Sequence, residues 1–261
     1  MPRLSALLAP LLAFPLLVPA VSAAADCAAR SGTARAALVE LYTSEGCSSC
    51  PPADRWLSSL AASGLGANKV VPLAFHVDYW DYIGWKDEFA SARHSDRQRE
   101  MARLKRSTLV YTPQVLLSGE DFRGWGSRRE LTARLAAING RAPGADIDLG
   151  TRPAGKAGIE ISATASLRGT ASNAALYLAL RENRLANEVR AGENDGRRLE
   201  HDYVVRELIG PLPFSGTGKA EARRALTLRP DWKRPDLGLV AFVQDAASGE
   251  VLQAVALDGC L

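Results

Sequence analysis

The hydrophobic pattern of this chain changes period once, at Arg141-Ala142-Pro143-Gly144, and that change limits the folds open to it more than any other feature. Before it, residues 36–43 and 70–77 are continuous apolar runs rich in aliphatic and β-branched side chains, the pattern of strands buried on both faces. A helix is predicted from the loop after Thr43 to about Ser63, ended by Gly64 and Gly66. Lys86 to Arg106 is highly charged, with apolar positions only at Phe89, Met101 and Leu104, and reads as one or two surface helices. A strand at 112–117, a short strand around Phe122 and a helix over 128–138, N-capped by Ser127 and stopped by Asn139-Gly140, follow. The first two strands and the helix between them make a right-handed parallel unit. The last two strands are close enough to pair as a hairpin.

Beyond residue 144 the period is two. Ile159, Ile161, Ala163, Ala165 and Leu167 alternate with polar residues, and similar runs recur at 174–181, 201–208, 222–229, 237–244 and 250–257. Six or seven short strands separated by turn residues suggest a β-sandwich of immunoglobulin-like build. The 261 residues accommodate two such units, with boundaries at 26–141 and 145–261.

Residues 1–25 are expected to be a signal peptide: Arg3, an apolar stretch from Leu4 to Val21, then Ser22 and three alanines, with cleavage after Ala23 or Ala25. Pro10, Pro15 and Pro19 argue against a retained spanning helix. The expected product is periplasmic or secreted, where disulfides persist. With 32 basic and 29 acidic residues well mixed, the charge pattern offers no footprint for nucleic acid, or for a membrane after cleavage. Four cysteines remain: Cys27, Cys47, Cys50 and Cys260. Cys27 and Cys260 lie near the two chain ends, which often meet at the surface, so a structural bridge between them is plausible; two free thiols are the alternative.

Cys47-Ser48-Ser49-Cys50 carries the chemistry. Thiol exchange needs a thiolate, and a helix N-terminus supplies unpaired N–H groups that favour one. Cys47 is then the nucleophile and Cys50 the resolving thiol. Zinc needs about four ligands, and no second such pair appears, so no cofactor is expected.

Ser44-Glu45-Gly46 with Cys47 through Pro51, and Thr112-Pro113 followed by Val115-Leu116-Leu117, resemble the active-site loop and the cis-proline strand of the thioredoxin superfamily. The resemblance implies an α/β thioredoxin-like domain ahead of the all-β sandwich. It also implies a cis Pro113 beside the cysteines, and a Thr112 that offers backbone groups to a protein or small-molecule thiol or disulfide. A closer resemblance is to an uncharacterised family of secreted thioredoxin-like proteins, carried by residues 39–54, by Phe75 to Asp87, and by Gly192-Glu193-Asn194 with Gly196, His201 and Val204 to Arg206. That family has no established substrate.

The chain departs from thioredoxins where they place a buried aspartate six residues before the first cysteine; here that residue is Leu41. Glu40, beside it, points to the other strand face. It is either a base reached through a bulge or a carboxylate paired with an arginine. Glu45 is a candidate tuner of the thiol, or simply an exposed loop carboxylate. Pro51-Pro52 suggests that the regular helix starts late, which would weaken its field at Cys47. His76 and Asp78 share a strand face near the sheet edge where ligands gather. With the cysteines they would make a copper or zinc site; a buried, hydrogen-bonded histidine is the commoner fate, and a surface position is expected for His201. Three functions follow: a thiol–disulfide oxidoreductase, a metal-binding protein, or a redox-inactive binding module.

Overall fold

The computed structural model describes residues 27–169 and 173–261; the expected signal segment lies outside them. Strand β1 (Cys27–Arg30) leads to β2 (Ala37–Thr43), helix α1 (Pro51–Ser59), β3 (Val70–His76), α2 (Ala92–Leu104), β4 (Gln114–Leu117), β5 (Glu120–Asp121) and α3 (Arg128–Asn139). The remainder is strands: β6 (Ala145–Ala154), β7 (Gly158–Leu167), β8 (Ala174–Glu182), β9 (Leu185–Glu188), β10 (Arg198–His201), β11 (Val204–Pro213), β12 (Lys219–Thr227), β13 (Leu237–Asp245) and β14 (Val251–Asp258).

Eight strands form one sheet in the order β14-β13-β8-β11-β3-β2-β4-β5. This overturns the expected α/β thioredoxin-like domain followed by an immunoglobulin-like sandwich. Among the described residues, strands dominate and α-helices are few, and the main sheet is shared by both halves of the chain. The join is β11. It runs parallel to β3 at Val204↔Ala74 and antiparallel to β8 from Val204↔Glu182 to Pro213↔Ala175. The physical reason is that the outer edge of β3 carries N–H and C=O groups that need partners, and the returning chain supplies them. Side-chain periodicity reports which face a strand buries, not which strand lies beside it.

Three apolar cores follow from this sheet. A second sheet, β1-β6-β7-β12, packs Ile147, Leu149, Ile159 and Ile161 against Leu176, Leu178, Leu239 and Ala241 of the main sheet. The opposite face of the main sheet packs Leu38, Phe75, Tyr177 and Phe242 beneath α2. Val39, Leu41 and Val115 face Leu57 of α1 and Leu131 of α3. Helix α2 is not the surface helix its charge suggests: His94, Ser95, Arg97, Gln98 and Met101 are all buried.

The β9–β10 hairpin stands apart as a two-stranded sheet, paired from Arg198↔Glu188 to His201↔Leu185. It is flanked by two non-glycine residues in the left-handed region, Arg184 (φ 56°) and Tyr203 (φ 60°). A single turn at Gly192–Asn194 lies at its tip, over the C-terminal ends of β2 and β3.

Candidate functional site

The loop after β2 is shaped by short-range bonds. Gly46 N donates to Ser44 Oγ (3.1 Å), Cys47 N to Ser44 O (3.1 Å) and Cys50 N to Cys47 O (3.1 Å). A Cβ on Gly46 would stand 3.1 Å from Trp80 Cβ, so a larger residue here would require Trp80 to give way by a few tenths of an ångström. Cys47 and Cys50 are joined as a disulfide, with Cα atoms 5.4 Å apart. Pro51 and Pro52 occupy the first positions of α1, where a missing N–H leaves no bond unmade, and the regular helix starts only after the cysteine pair, late as the two prolines suggested. Its N-cap is Cys50, placing Cys47 one turn outside.

Both cysteines are 0% exposed, whereas Ser48 and Ser49 are exposed. The C-terminal half supplies the cover. Asn194 Nδ2 donates to Glu45 O (2.8 Å) and Cys47 O (3.0 Å), and Ser48 N donates to Glu193 Oε2 (2.9 Å). Gly192, at φ 76°, would bring a Cβ to 3.1 Å from Ile83 Cδ1, which explains a glycine at that contact.

The Thr112–Pro113 peptide bond is cis. Tyr42 pairs with Gln114, which sets Pro113 at the same end of the sheet as the cysteine loop. Trp80 bridges the two segments: its Cβ abuts Gly46 and its Nε1 donates to Thr112 Oγ1 (2.7 Å).

Beneath the disulfide lies a buried polar cluster. Glu45 is fully buried, not an exposed loop carboxylate. Its Oε2 accepts from Trp85 Nε1 (2.8 Å) and Asn187 Nδ2 (3.2 Å), and its Oε1 lies 3.1 Å from His201 Nε2. His201 is likewise buried rather than at the surface. His76 Nδ1 is 2.7 Å from Asp87 Oδ2, which also accepts from Glu45 N (2.9 Å). The two imidazole rings meet edge to face with centroids 4.8 Å apart. Burial works against charge on both members of the His76–Asp87 pair, yet each holds the other ionised: His76 is raised above, and Asp87 held below, its ordinary value. Asp54 completes the cluster from α1, its carboxyl raised by burial against the pull of His201 and His76.

The remaining sequence candidates fall outside this cluster. Glu40 sits on the α2 face and pairs with Arg97 (2.7 Å), so of its two readings the arginine-paired one describes the structure. Asp78 Oδ1 accepts from Ser95 Oγ of α2 (2.5 Å) and does not meet His76 as a co-ligand. Among the described residues no group of three or more His, Cys, Asp or Glu is arranged to hold a metal ion. Cys27 and Cys260 form the second disulfide, with Cα atoms 5.8 Å apart. Sequence reasoning gave no role to Asp54, Asp87 or Asn194. All three lie in the stretches that carry the family resemblance, and Asp54 has a further signal in its four-residue spacing from Cys50 on a predicted helix.

Among the described residues no helix is long and apolar enough to cross a membrane. The profile of a family described as "Protein of unknown function (DUF1223)" matches residues 38–244. A crystal structure of a protein from Agrobacterium tumefaciens is similar at 28% identity and a TM-score of 0.61, covering 88% of this chain and 96% of that one. HBP35 of Porphyromonas gingivalis is similar in fold, at 13% identity and a TM-score of 0.65, covering 87% of this chain and 76% of that one. No curated protein matches the chain.

Proposed function

Because the chain belongs to the DUF1223 family of proteins of unknown function, its chemistry has to be argued from its own residues, and we propose that it is an exported thiol–disulfide oxidoreductase. The observation that carries this reading is the Cys47–Cys50 disulfide closing a four-residue turn at the mouth of α1, beside the Thr112–Pro113 segment. A pair only three residues apart staples almost no chain, because the entropy a crosslink removes grows with loop length. Its value lies in opening and closing.

In the reaction a substrate thiolate attacks Cys47 Sγ, the S–S bond breaks, and Cys50 leaves with the bonding electrons. A second substrate thiolate then attacks the mixed disulfide and releases Cys47. The substrate dithiol is oxidised by two electrons and the protein disulfide is reduced; the reverse sequence delivers a disulfide for reduction. Thr112 supports an extended substrate segment, as its counterpart does in the thioredoxin superfamily, a likeness proposed for these two loops and not for the fold. The partner is a protein or small-molecule thiol or disulfide. The two disulfides and the sequence of residues 1–25 support an oxidising, exported setting.

The complete burial of both sulfurs favours a second reading, in which the pair is permanently oxidised and the protein is a binding module. Trapping free thiols across a series of glutathione potentials separates the two. Reversible two-electron behaviour of Cys47 and Cys50 supports the oxidoreductase, and a pair that stays oxidised at every potential leaves the binding module. In insulin reduction, Cys47→Ser is expected to abolish activity and Cys50→Ser to accumulate mixed disulfides; equal activity in both variants rules the reaction out.

A further inference from the structure

The sealed pair raises a question of protons that rests on the oxidoreductase reading. When the S–S bond opens, Cys50 departs as a thiolate in a place that water does not reach. An uncompensated buried anion is costly, so the proton that neutralises it has to come from inside the protein.

The structure offers one carboxyl in position. Cys50 has helical backbone angles at the start of α1, and Asp54 lies four residues on. Residues so spaced share a helix face about 5–6 Å apart at Cβ. Asp54 is 6% exposed, on the buried side of α1 with Ala53 and Leu57. Thr43 lies within hydrogen-bonding reach of it, and neither imidazole is paired with it. The cluster holds three carboxyls and two imidazoles: His76 on β3 is taken by Asp87, and His201 on β10 by Glu45. Asp54 forms no ion pair among the described residues.

We propose that Asp54 is the group that exchanges a proton with Cys50. As the S–S bond breaks and its electron pair passes to Cys50 Sγ, the Asp54 carboxyl transfers its proton to that sulfur and becomes a carboxylate. The titratable groups facing it are His76 and His201, whose positive charge when protonated favours the carboxylate, and Asp87, which opposes it, with Glu45 held against His201. In the reverse direction the Asp54 carboxylate takes the Cys50 proton, and Cys50 Sγ attacks the mixed disulfide at Cys47. Burial raises the carboxyl above its ordinary value, the direction that favours its holding a proton for the sulfur.

The test follows reduction of the oxidised full-length protein by dithiothreitol, with free thiols trapped over time between about pH 5 and 9. Asp54→Asn is expected to slow opening of Cys47–Cys50 about a hundredfold at neutral pH and to flatten the pH profile, with the Cys27–Cys260 rate unchanged. Asp54→Glu, which keeps the carboxyl, is expected to restore part of the rate. A wild-type rate and profile in Asp54→Asn overturns the proposal and leaves the oxidoreductase reading standing. A wild-type pair inert to dithiothreitol overturns both. If Asp54→Asn loses its cooperative thermal transition, the deuterium solvent isotope effect on wild-type reduction decides: a clear slowing in heavy water supports internal proton transfer, and none overturns it.

Discussion

At the scale of single residues, the chain buries charge only where geometry compensates it. Arg97 leaves α2 between three rings, its guanidinium 5.2 Å from the centroids of Tyr177 and Phe242 and 5.7 Å from that of Phe75, and ends on Glu40. Removing one partner strands the other in an apolar layer. Glu40→Leu or Arg97→Met is therefore expected to cost about 3–5 kcal/mol in urea unfolding, and the double variant much less than the sum. His94 gives a pH signature. Burial presses its pKa to about 4 while its Nδ1 donates to His76 O. The folded state thus prefers the neutral ring, and the stability this gives is complete above the unfolded value near 6.5 and is lost as pH falls through about 4. About 3 kcal/mol is expected to disappear over that interval, and His94→Asn to flatten the slope. His76 acts with the opposite sign: being raised, its contribution is present at low pH and lost as pH climbs through its folded value.

At the scale of elements, Asn194 pins the turn over the disulfide by two bonds to buried carbonyls. Asn194→Ala is expected to lower the cost of lifting that turn by about 1–3 kcal/mol and so to speed reduction of Cys47–Cys50 about 5- to 150-fold. An unchanged rate would mean that the turn does not exclude the reductant. How much of this was legible in the sequence differs from element to element. The runs at 36–43, 70–77 and 112–117 became β2, β3 and β4, and Ser127 caps α3 through Glu130 N. Local propensity and side-chain period carry that information in a few neighbouring residues. Helix α2 misled because Arg97, Gln98 and His94 are polar by type yet buried through partners distant in sequence. Glu45 and His201 misled for the same reason, being 156 residues apart and each other's partner. The cysteine spacing pointed to the sulfurs; Gly192-Glu193-Asn194 stood out as a motif, but nothing in its local sequence said that it covers them.

At the scale of the molecule, the Cys27–Cys260 bridge spans 233 residues and ties β1 to the chain following β14. Cys27→Ser is expected to lower the unfolding free energy by about 2–5 kcal/mol without altering thiol exchange at Cys47. Because β11 sits between β3 and β8, a fragment ending at residue 141 would present the bare edge of β3. It is expected to aggregate rather than remain monomeric in gel filtration. The same connectivity governs how the sulfurs become reachable. Residues 185–202 form a leaf whose two stems, Arg184 and Tyr203, both hold left-handed backbone angles, and each stem is anchored at once in the main sheet through β8 or β11. On the oxidoreductase reading, admission to the disulfide is expected to be a hinged, local movement of a leaf tethered at both ends, with the rest of the sheet keeping its register.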